Sequence, residues 1–90
     1  MAQKTDREIF FTRKFLEDLR YWIKTDRSTA LRLLDLVDAI VSDPFYGIGK
    51  PEPLKHELGG CWSRRITKED RLIYRVSSQR IDFLQARFHY

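Results

Sequence analysis

The sequence predicts an α+β fold in which a two-helix hairpin packs on one face of a small antiparallel sheet of about four to five strands. Apolar residues recur at helical spacing in the first half and alternate with polar residues in the second half. Glycine and serine pairs separate the alternating segments, as turns between strands do. Because 90 residues support one hydrophobic core, we expect a single domain over 1–90, with 1–6 as a flexible leader.

The first predicted element is the β-prone run Ile9-Phe10-Phe11, which precedes a helix. Thr12 can cap that helix, so its first residue should be Arg13. Helical spacing then predicts one apolar stripe and one solvated face. The stripe contains Phe15, Leu19, Trp22 and Ile23, and the solvated face contains Arg13, Glu17, Asp18 and Lys24.

A second helix follows, capped by either Asp26 or Ser28 and stopped at Asp43-Pro44. It completes the hairpin, and residues 45–53 have the glycine and proline content of a loop. Its predicted core positions are Ala30, Leu33, Leu34, Val37, Ile40 and Val41.

The second half is predicted to form four strands, near Leu54–Leu58, Cys61–Thr67, Arg71–Ser77 and Arg80–Phe88. Neighbouring side chains of a strand point to opposite faces, so alternation sorts each strand into two sets. The set under the helices should contain Trp62, Arg64, Ile66, Leu72, Tyr74, Val76, Leu84, Ala86 and Phe88. The uncovered face should then be basic, with Ser63, Arg65, Arg71, Arg75, Arg87 and His89. A buried Arg64 would need an edge position or a partner.

Composition excludes several classes of protein. Cys61 is the only cysteine, which rules out an internal disulfide and a multi-cysteine zinc site. A signal region and a bilayer-spanning apolar run are both missing from the sequence, so we expect a cytoplasmic protein without a membrane partner. Seventeen basic residues against 13 acidic ones favour a phosphate-rich or acidic partner.

Four short motifs in the second half occur in a fixed order. They are Lys50-Pro51-Glu52-Pro53-Leu54-Lys55-His56, Trp62-Ser63-Arg64-Arg65-Ile66-Thr67, Arg71-Leu72-Ile73-Tyr74 and the final His89-Tyr90. In order and spacing, the chain from about Phe10 to Tyr90 resembles the Txe/YoeB toxins of the RelE/ParE superfamily. The resemblance implies a RelE-like fold and a metal-independent endoribonuclease, without a cofactor, that cuts mRNA in the ribosomal A site.

The resemblance also implies a role for each matching residue. Glu52 falls on the general base, Arg71 on the group that stabilises the transition state, and His89 on the general acid, with Tyr90 supporting it. Contacts to RNA are expected from Lys50, Lys55, Arg65, Glu69 and Arg87. Asp70 departs from the pattern, because the best-known member has a histidine there, and the sequence does not tell what this change does.

These residue types suit RNA cleavage without a metal. The 2′-hydroxyl of RNA can attack the adjacent phosphate once a base removes its proton, and a carboxylate such as Glu52 can do so. A guanidinium is always charged and matches two phosphate oxygens, as required of Arg71. An imidazole exchanges protons near neutral pH, which suits His89. The simpler interpretation treats Glu52 as a turn charge and Arg71 and Arg65 as phosphate contacts.

The resemblance further implies partners. A cognate antitoxin of the YefM/Axe kind should bind the toxin through a segment that folds on binding, and the ribosome and mRNA are the other partners. Homodimers are also expected. Two alternative functions are a ParE-like gyrase inhibitor and a protein that blocks the ribosome without cutting RNA.

Overall fold

The computed structural model describes residues 6–55 and 59–89, and two helices pack on one five-stranded sheet. The sheet order is β1-β5-β4-β3-β2. The elements are β1 (Glu8–Phe11), α1 (Arg13–Thr25), α2 (Arg27–Ser42), β2 (Glu52–Pro53), β3 (Cys61–Arg65), β4 (Arg71–Val76) and β5 (Arg80–Phe88). The predicted α+β class is confirmed. In the described ranges, neither helix has the apolar length that a bilayer crossing requires.

The sheet is mixed rather than wholly antiparallel. β1 pairs with β5 in parallel, with Glu8 opposite Arg80 and Phe11 opposite Phe83, whereas the remaining strand pairs are antiparallel. A parallel pair needs a long connection, and the chain between the first and last strands provides it. Sequence alternation predicts a strand but not its partner, so the direction of β1 was not foreseen.

Both helices have the boundaries that capping predicted. The Thr12 hydroxyl accepts a hydrogen bond from the Phe15 N–H at 3.0 Å. Asp26 ends α1 and also caps α2, where its carboxylate accepts bonds from the Ser28 hydroxyl at 2.9 Å and the Thr29 N–H at 3.3 Å. These hydrogen bonds lower the pKa of Asp26, and the bond from the Ser28 hydroxyl has the largest effect. The cap is therefore Asp26 and not Ser28.

The edge strand β2 is displaced from its predicted position. The prediction of Leu54–Leu58 was wrong for residues 54 and 55, and 56–58 lie outside the described residues. Glu52–Pro53 pairs instead with Ser63 and Trp62, and only the N–H of Leu54 continues toward the Cys61 carbonyl, at 2.9 Å. Prolines lack the N–H that a central strand needs, so this stretch is confined to the edge of the sheet.

The β3–β4 hairpin is shorter than predicted, because the chain turns over residues 66–70. The N–H of Ile66 donates to the Asp70 carbonyl at 2.9 Å, which closes the turn. β3 therefore ends at Arg65, two residues early, and β4 ends at Val76, one residue early.

The core lies between the helices and one face of the sheet. Three predictions of helix faces were wrong: Ile23 and Leu34 are exposed, and Asp18 is buried with 1% of its surface accessible. Asp18 lies three residues after Phe15 and four before Trp22, so all three share a face. Leu36, which we missed, is buried for the same reason, between Leu33 and Ile40. The core contains Phe15, Trp22, Ala30, Leu33, Leu36, Val37, Ile40, Ile66, Leu72, Tyr74, Ile81, Phe83 and Ala86.

β5 does not keep a strict alternation. Tyr74 is opposite Phe83 and Arg71 is opposite Phe88. The chain advances three residues in β4 but five in β5 between these two pairs, so β5 contains two extra residues. Such bulges change which face a side chain meets. Ile81, Phe83 and Ala86 therefore enter the core, and the prediction that Leu84 and Phe88 lie in it with Ala86 was wrong.

Arg64 is fully buried beneath the loop between α2 and β2, and it has the partners that the sequence required. Its guanidinium donates to the Asp43 carbonyl at 2.7 Å, the Ile48 carbonyl at 3.1 Å and the Tyr46 carbonyl at 3.2 Å. It also donates to the hydroxyl of Tyr74 at 3.1 Å. Arg64 thus fixes the loop that leads to β2.

Candidate active site

Glu52 and Arg71 meet across the outer strands of the sheet. An Arg71 guanidinium nitrogen lies 3.1 Å from Glu52 Oε1 and donates to the Ser63 hydroxyl at 3.2 Å. Ser63 is the register partner of Glu52, so β3 lies between the two charged residues. The Arg71 side chain is 15% exposed and that of Glu52 is 56% exposed. The pair is therefore anchored on the arginine side and accessible to solvent on the carboxylate side.

The backbone before Glu52 is tightly constrained. Gly49 has a φ of +84°, and a Cβ there would lie 2.8 Å from a methyl group of Leu36. Lys50 has a φ of +54°, which is rare for a residue with a side chain. The Gly49 carbonyl accepts from the Arg65 N–H at 2.7 Å, and Pro51 then restricts the next φ. The carboxylate of Glu52 is therefore presented from a stiff segment.

His89 directly follows β5 at the same end of the sheet. Its Nε2 atom lies 2.5 Å from Oδ1 of Asp70, the residue before β4. His89 and Arg71 line an open cleft of about 500 Å³ together with Lys68 and Glu69. The structure thus brings Glu52 to Arg71 by direct contact and brings Arg71 and His89 to one cleft. Tyr90 and His56 lie outside the described residues.

The predicted RNA-contacting residues are spread around this cleft. Glu69 lines it, whereas Arg65 is the register partner of Arg71, and Lys50 and Lys55 flank β2. Arg87 lies beside α1, where its guanidinium carbon is 3.5 Å from the centre of the Tyr21 ring. It packs against a helix and is not among the described residues that line the cleft.

The face away from the helices is less open than predicted. Arg75 is exposed there, but Cys61, Ser63 and Ile73 are buried and lie outside the apolar core. Buried Ser63 contacts Arg71, so this face helps to hold the site rather than merely carrying charge.

The sequence did not indicate Lys68 as a site residue, and it singled out Asp70 without giving it a role. Lys68 lines the cleft from the β3–β4 turn, and Asp70 contacts His89. Their place in the turn before Arg71 indicated only that they lie near Arg71, since a turn next to a strand end lies close to that strand. In the described part of the chain, no three His, Cys, Asp or Glu side chains are grouped as metal ligands would be.

Two helices on this sheet, with Glu52, Arg71 and His89 at one end, define a small toxin of the RelE/ParE type. Residues 11–90 match the model of the YoeB-like toxins of bacterial type II toxin–antitoxin systems, and the chain belongs to this family.

Relatives agree over nearly the whole chain. Toxin RelK of Mycobacterium tuberculosis is 49% identical over 84 residues, which cover 93% of this chain and 99% of that one. A YoeB/ParE toxin from Agrobacterium tumefaciens superposes with a TM-score of 0.84 at 42% identity, covering 92% of this chain and 99% of that one.

Two structures from Staphylococcus aureus concern assemblies. A YoeB dimer has a TM-score of 0.84 at 34% identity, covering 96% of this chain and 100% of that one. A YoeB–YefM complex has a TM-score of 0.80 at 33% identity, covering 99% of this chain and 100% of that one.

Proposed function

We propose that this toxin is a ribosome-dependent, metal-independent endoribonuclease that cuts mRNA in the A site and so inhibits translation. The observation that carries the proposal is the Glu52–Arg71 ion pair at 3.1 Å, next to a cleft that Arg71 shares with His89. A base, a fixed cation and an acid within one site are what 2′-hydroxyl attack on a phosphodiester requires.

Each residue has one task in this mechanism. Glu52 accepts the proton of the 2′-hydroxyl, whose oxygen attacks the adjacent phosphorus. Arg71 donates to the phosphate oxygens as negative charge accumulates on them, and its guanidinium remains charged throughout. His89 protonates the departing 5′ oxygen, and Tyr90 supports it. Lys50, Lys55, Arg65, Glu69 and Arg87 are assigned to RNA positioning.

The ion pair itself prepares the site. In the free toxin Glu52 holds a guanidinium nitrogen of Arg71 toward the accessible side of the site. A phosphate group competes for the same nitrogen when RNA enters, and the carboxylate then turns to the adjacent 2′-hydroxyl. Since Glu52 is more exposed than Arg71, the carboxylate moves while the guanidinium stays anchored on Ser63.

Binding partners follow from the family. A type II system pairs a toxin with a protein antitoxin, and the S. aureus relative is known as a YoeB–YefM complex and as a YoeB dimer. We infer an antitoxin of the YefM/Axe kind for this chain, and a homodimer as a second assembly. The basic net charge of +4 favours an acidic antitoxin segment.

The test is cleavage of an mRNA on purified ribosomes, with 5′ ends mapped by primer extension. Glu52→Gln and His89→Gln should each slow cleavage about 10²–10⁴-fold, because each removes one proton transfer. Arg71→Ala should slow it comparably. Arg75→Ala is the matched control: it removes an exposed arginine of the same strand and should leave the rate unchanged.

Other functions predict other results. A toxin that blocks the ribosome or binds gyrase would arrest growth with all three variants, without new mRNA 5′ ends. Equal cutting of free RNA would contradict the ribosome-dependent part of the proposal.

A further inference from the structure

The carboxylate of Asp70 is oriented by the β3–β4 turn. The Thr67 hydroxyl oxygen accepts from the N–H groups of Glu69 at 3.1 Å and Asp70 at 2.9 Å. Its single proton is then directed at Asp70 Oδ2, 2.9 Å away. The Asp70 carbonyl closes the same turn by accepting from Ile66. One carboxylate oxygen is thus held by the turn, and the other, Oδ1, faces His89.

This contact distinguishes the two ring nitrogens of His89, because only Nε2 faces the carboxylate. Oδ2 of Asp70 already accepts the Thr67 hydroxyl proton, so the 2.5 Å contact at Oδ1 favours the tautomer in which Nε2 is the N–H donor. Nδ1 is then the unprotonated nitrogen of the neutral ring. In the doubly protonated ring, the proton on Nδ1 is the one that can leave while the contact to Asp70 is kept.

We propose that Asp70 is a positioning residue that holds His89 through Nε2, so that Nδ1 delivers the proton to the departing oxygen. The inference rests on the proposed function, to which it adds a residue and a named atom. It also gives the aspartate at this position a role that the sequence alone did not reveal.

The bond between the 2′ oxygen and phosphorus forms, and Glu52 holds the proton released from that oxygen. The bond between phosphorus and the 5′ oxygen breaks, and its electron pair stays on the 5′ oxygen, which takes the proton from Nδ1. The products are a 2′,3′-cyclic phosphate and a 5′-hydroxyl. His89 ends neutral, with Nε2–H still donated to Asp70.

Asp70→Asn tests this role, and Asp82→Asn is its matched control. Both aspartates have side chains that are 12% exposed, and each contacts a more exposed basic side chain, His89 for Asp70 and Arg80 for Asp82. Asp70→Asn should slow single-turnover cleavage on the ribosome about 10–100-fold, as loss of a group behind a catalytic histidine does. Asp82→Asn should keep the wild-type rate, and ribosome binding should stay unchanged in both.

A double-mutant cycle separates positioning from a general structural effect. If Asp70 acts through His89, then Asp70→Asn adds no further loss in a His89→Gln background. A loss that is the same in both backgrounds would mean that Asp70 acts on the fold or on another residue, and would overturn the proposal.

NMR provides a measurement that does not depend on cleavage. The chain has two histidines, so His89→Gln assigns the ring nitrogens of each. Long-range ¹H–¹⁵N spectra of the neutral ring should show Nε2–H for His89 in the wild type and a mixture of both tautomers in Asp70→Asn. An unchanged tautomer in Asp70→Asn would refute the inference.

The outcomes also separate the inference from the function. If wild type cuts, His89→Gln does not, and Asp70→Asn behaves as Asp82→Asn does, then only the role of Asp70 is wrong. If the wild type makes no cuts on the ribosome, the nuclease proposal fails and the catalytic role of the pair fails with it.

Discussion

Replacing Asp18 by alanine should destabilise the protein more than replacing its exposed partner Lys14 by alanine. The buried carboxylate accepts from the Ala86 N–H at 2.8 Å and from Lys14 Nζ at 2.7 Å. In Asp18→Ala the N–H of Ala86 loses a charged acceptor in a place that water does not reach. An unsatisfied buried donor costs about 1–3 kcal/mol, and the lost side-chain volume adds to this, so we expect about 2–4 kcal/mol.

Urea unfolding followed by circular dichroism measures this loss. With a typical slope of about 1.5 kcal/mol per molar urea, the midpoint should fall by roughly 1–3 M. Asp18→Asn keeps an oxygen acceptor for Ala86 and should lose less. Lys14→Ala removes the partly exposed end of the ion pair but leaves the carboxylate bonded to the Ala86 N–H, so it should destabilise the protein less than Asp18→Ala does. The reasoning is refuted if Lys14→Ala is as destabilising as Asp18→Ala, or if the latter matches the wild type.

Three further predictions concern other buried or capping groups. Arg64→Met should lower the free energy of unfolding by about 3 kcal/mol or more and should speed amide hydrogen exchange in the loop 43–48. Arg65→Met is the control and should change the free energy of unfolding little, so equal losses in the two variants would contradict this prediction. Burial raises the pKa of Tyr74 above the ordinary tyrosine value of 10.0, so an alkaline absorbance titration should show a late phase that Tyr74→Phe removes. The pKa of Asp26 is lowered from its ordinary value of 3.8, so the stabilisation of the helix by the ionised carboxylate is present above pH 3.8 and is lost as the pH falls through the lowered pKa of the folded protein. The difference in melting temperature between the wild type and Asp26→Ala should therefore close below about pH 3.8. A difference that stays constant with pH would contradict the capping role.

The helices were predictable because their determinants are local. Thr12 and Asp26 satisfy N–H groups only three residues away, and such spacing can be recognised in a sequence. The bounds of β5 at Arg80 and Phe88 were also predicted, since a turn precedes that strand and its apolar content continues to the end.

The faces of β5 were not predictable because bulges have no fixed sequence pattern. Two extra residues break the alternation between Phe83 and Phe88, so the apolar Leu84 is not part of the core. Asp18 was misplaced for a related reason. A charged residue is predicted to be exposed unless a buried partner for it is known. The buried partner of Asp18 is the backbone N–H of Ala86, 68 positions later in the chain.

The site was predicted as far as the resemblance extended. Glu52, Arg71 and His89 occupy motif positions, and the structure places the first two in contact and the last two in one cleft. The pairing of His89 with Asp70 could not be foreseen, because it depends on the register of β5 against β4 and on the conformation of the intervening turn.

The bulges of β5 connect the buried side of the fold to the site. If the register of the Tyr74–Phe83 pair continued without extra residues in β5, Arg87 would lie opposite Asp70. The two extra residues of β5 place His89 there instead. Bulges leave backbone groups without ladder partners.

Side chains at and within α1 satisfy those backbone groups. Thr12 donates to the Leu84 carbonyl at 2.6 Å, Trp22 donates to the Ala86 carbonyl at 2.9 Å, and Asp18 accepts from the Ala86 N–H. The helix therefore stabilises the register that brings His89 to Asp70. It follows that Asp18→Ala should slow ribosomal cleavage even at temperatures where the variant is fully folded, and that Lys14→Ala should not.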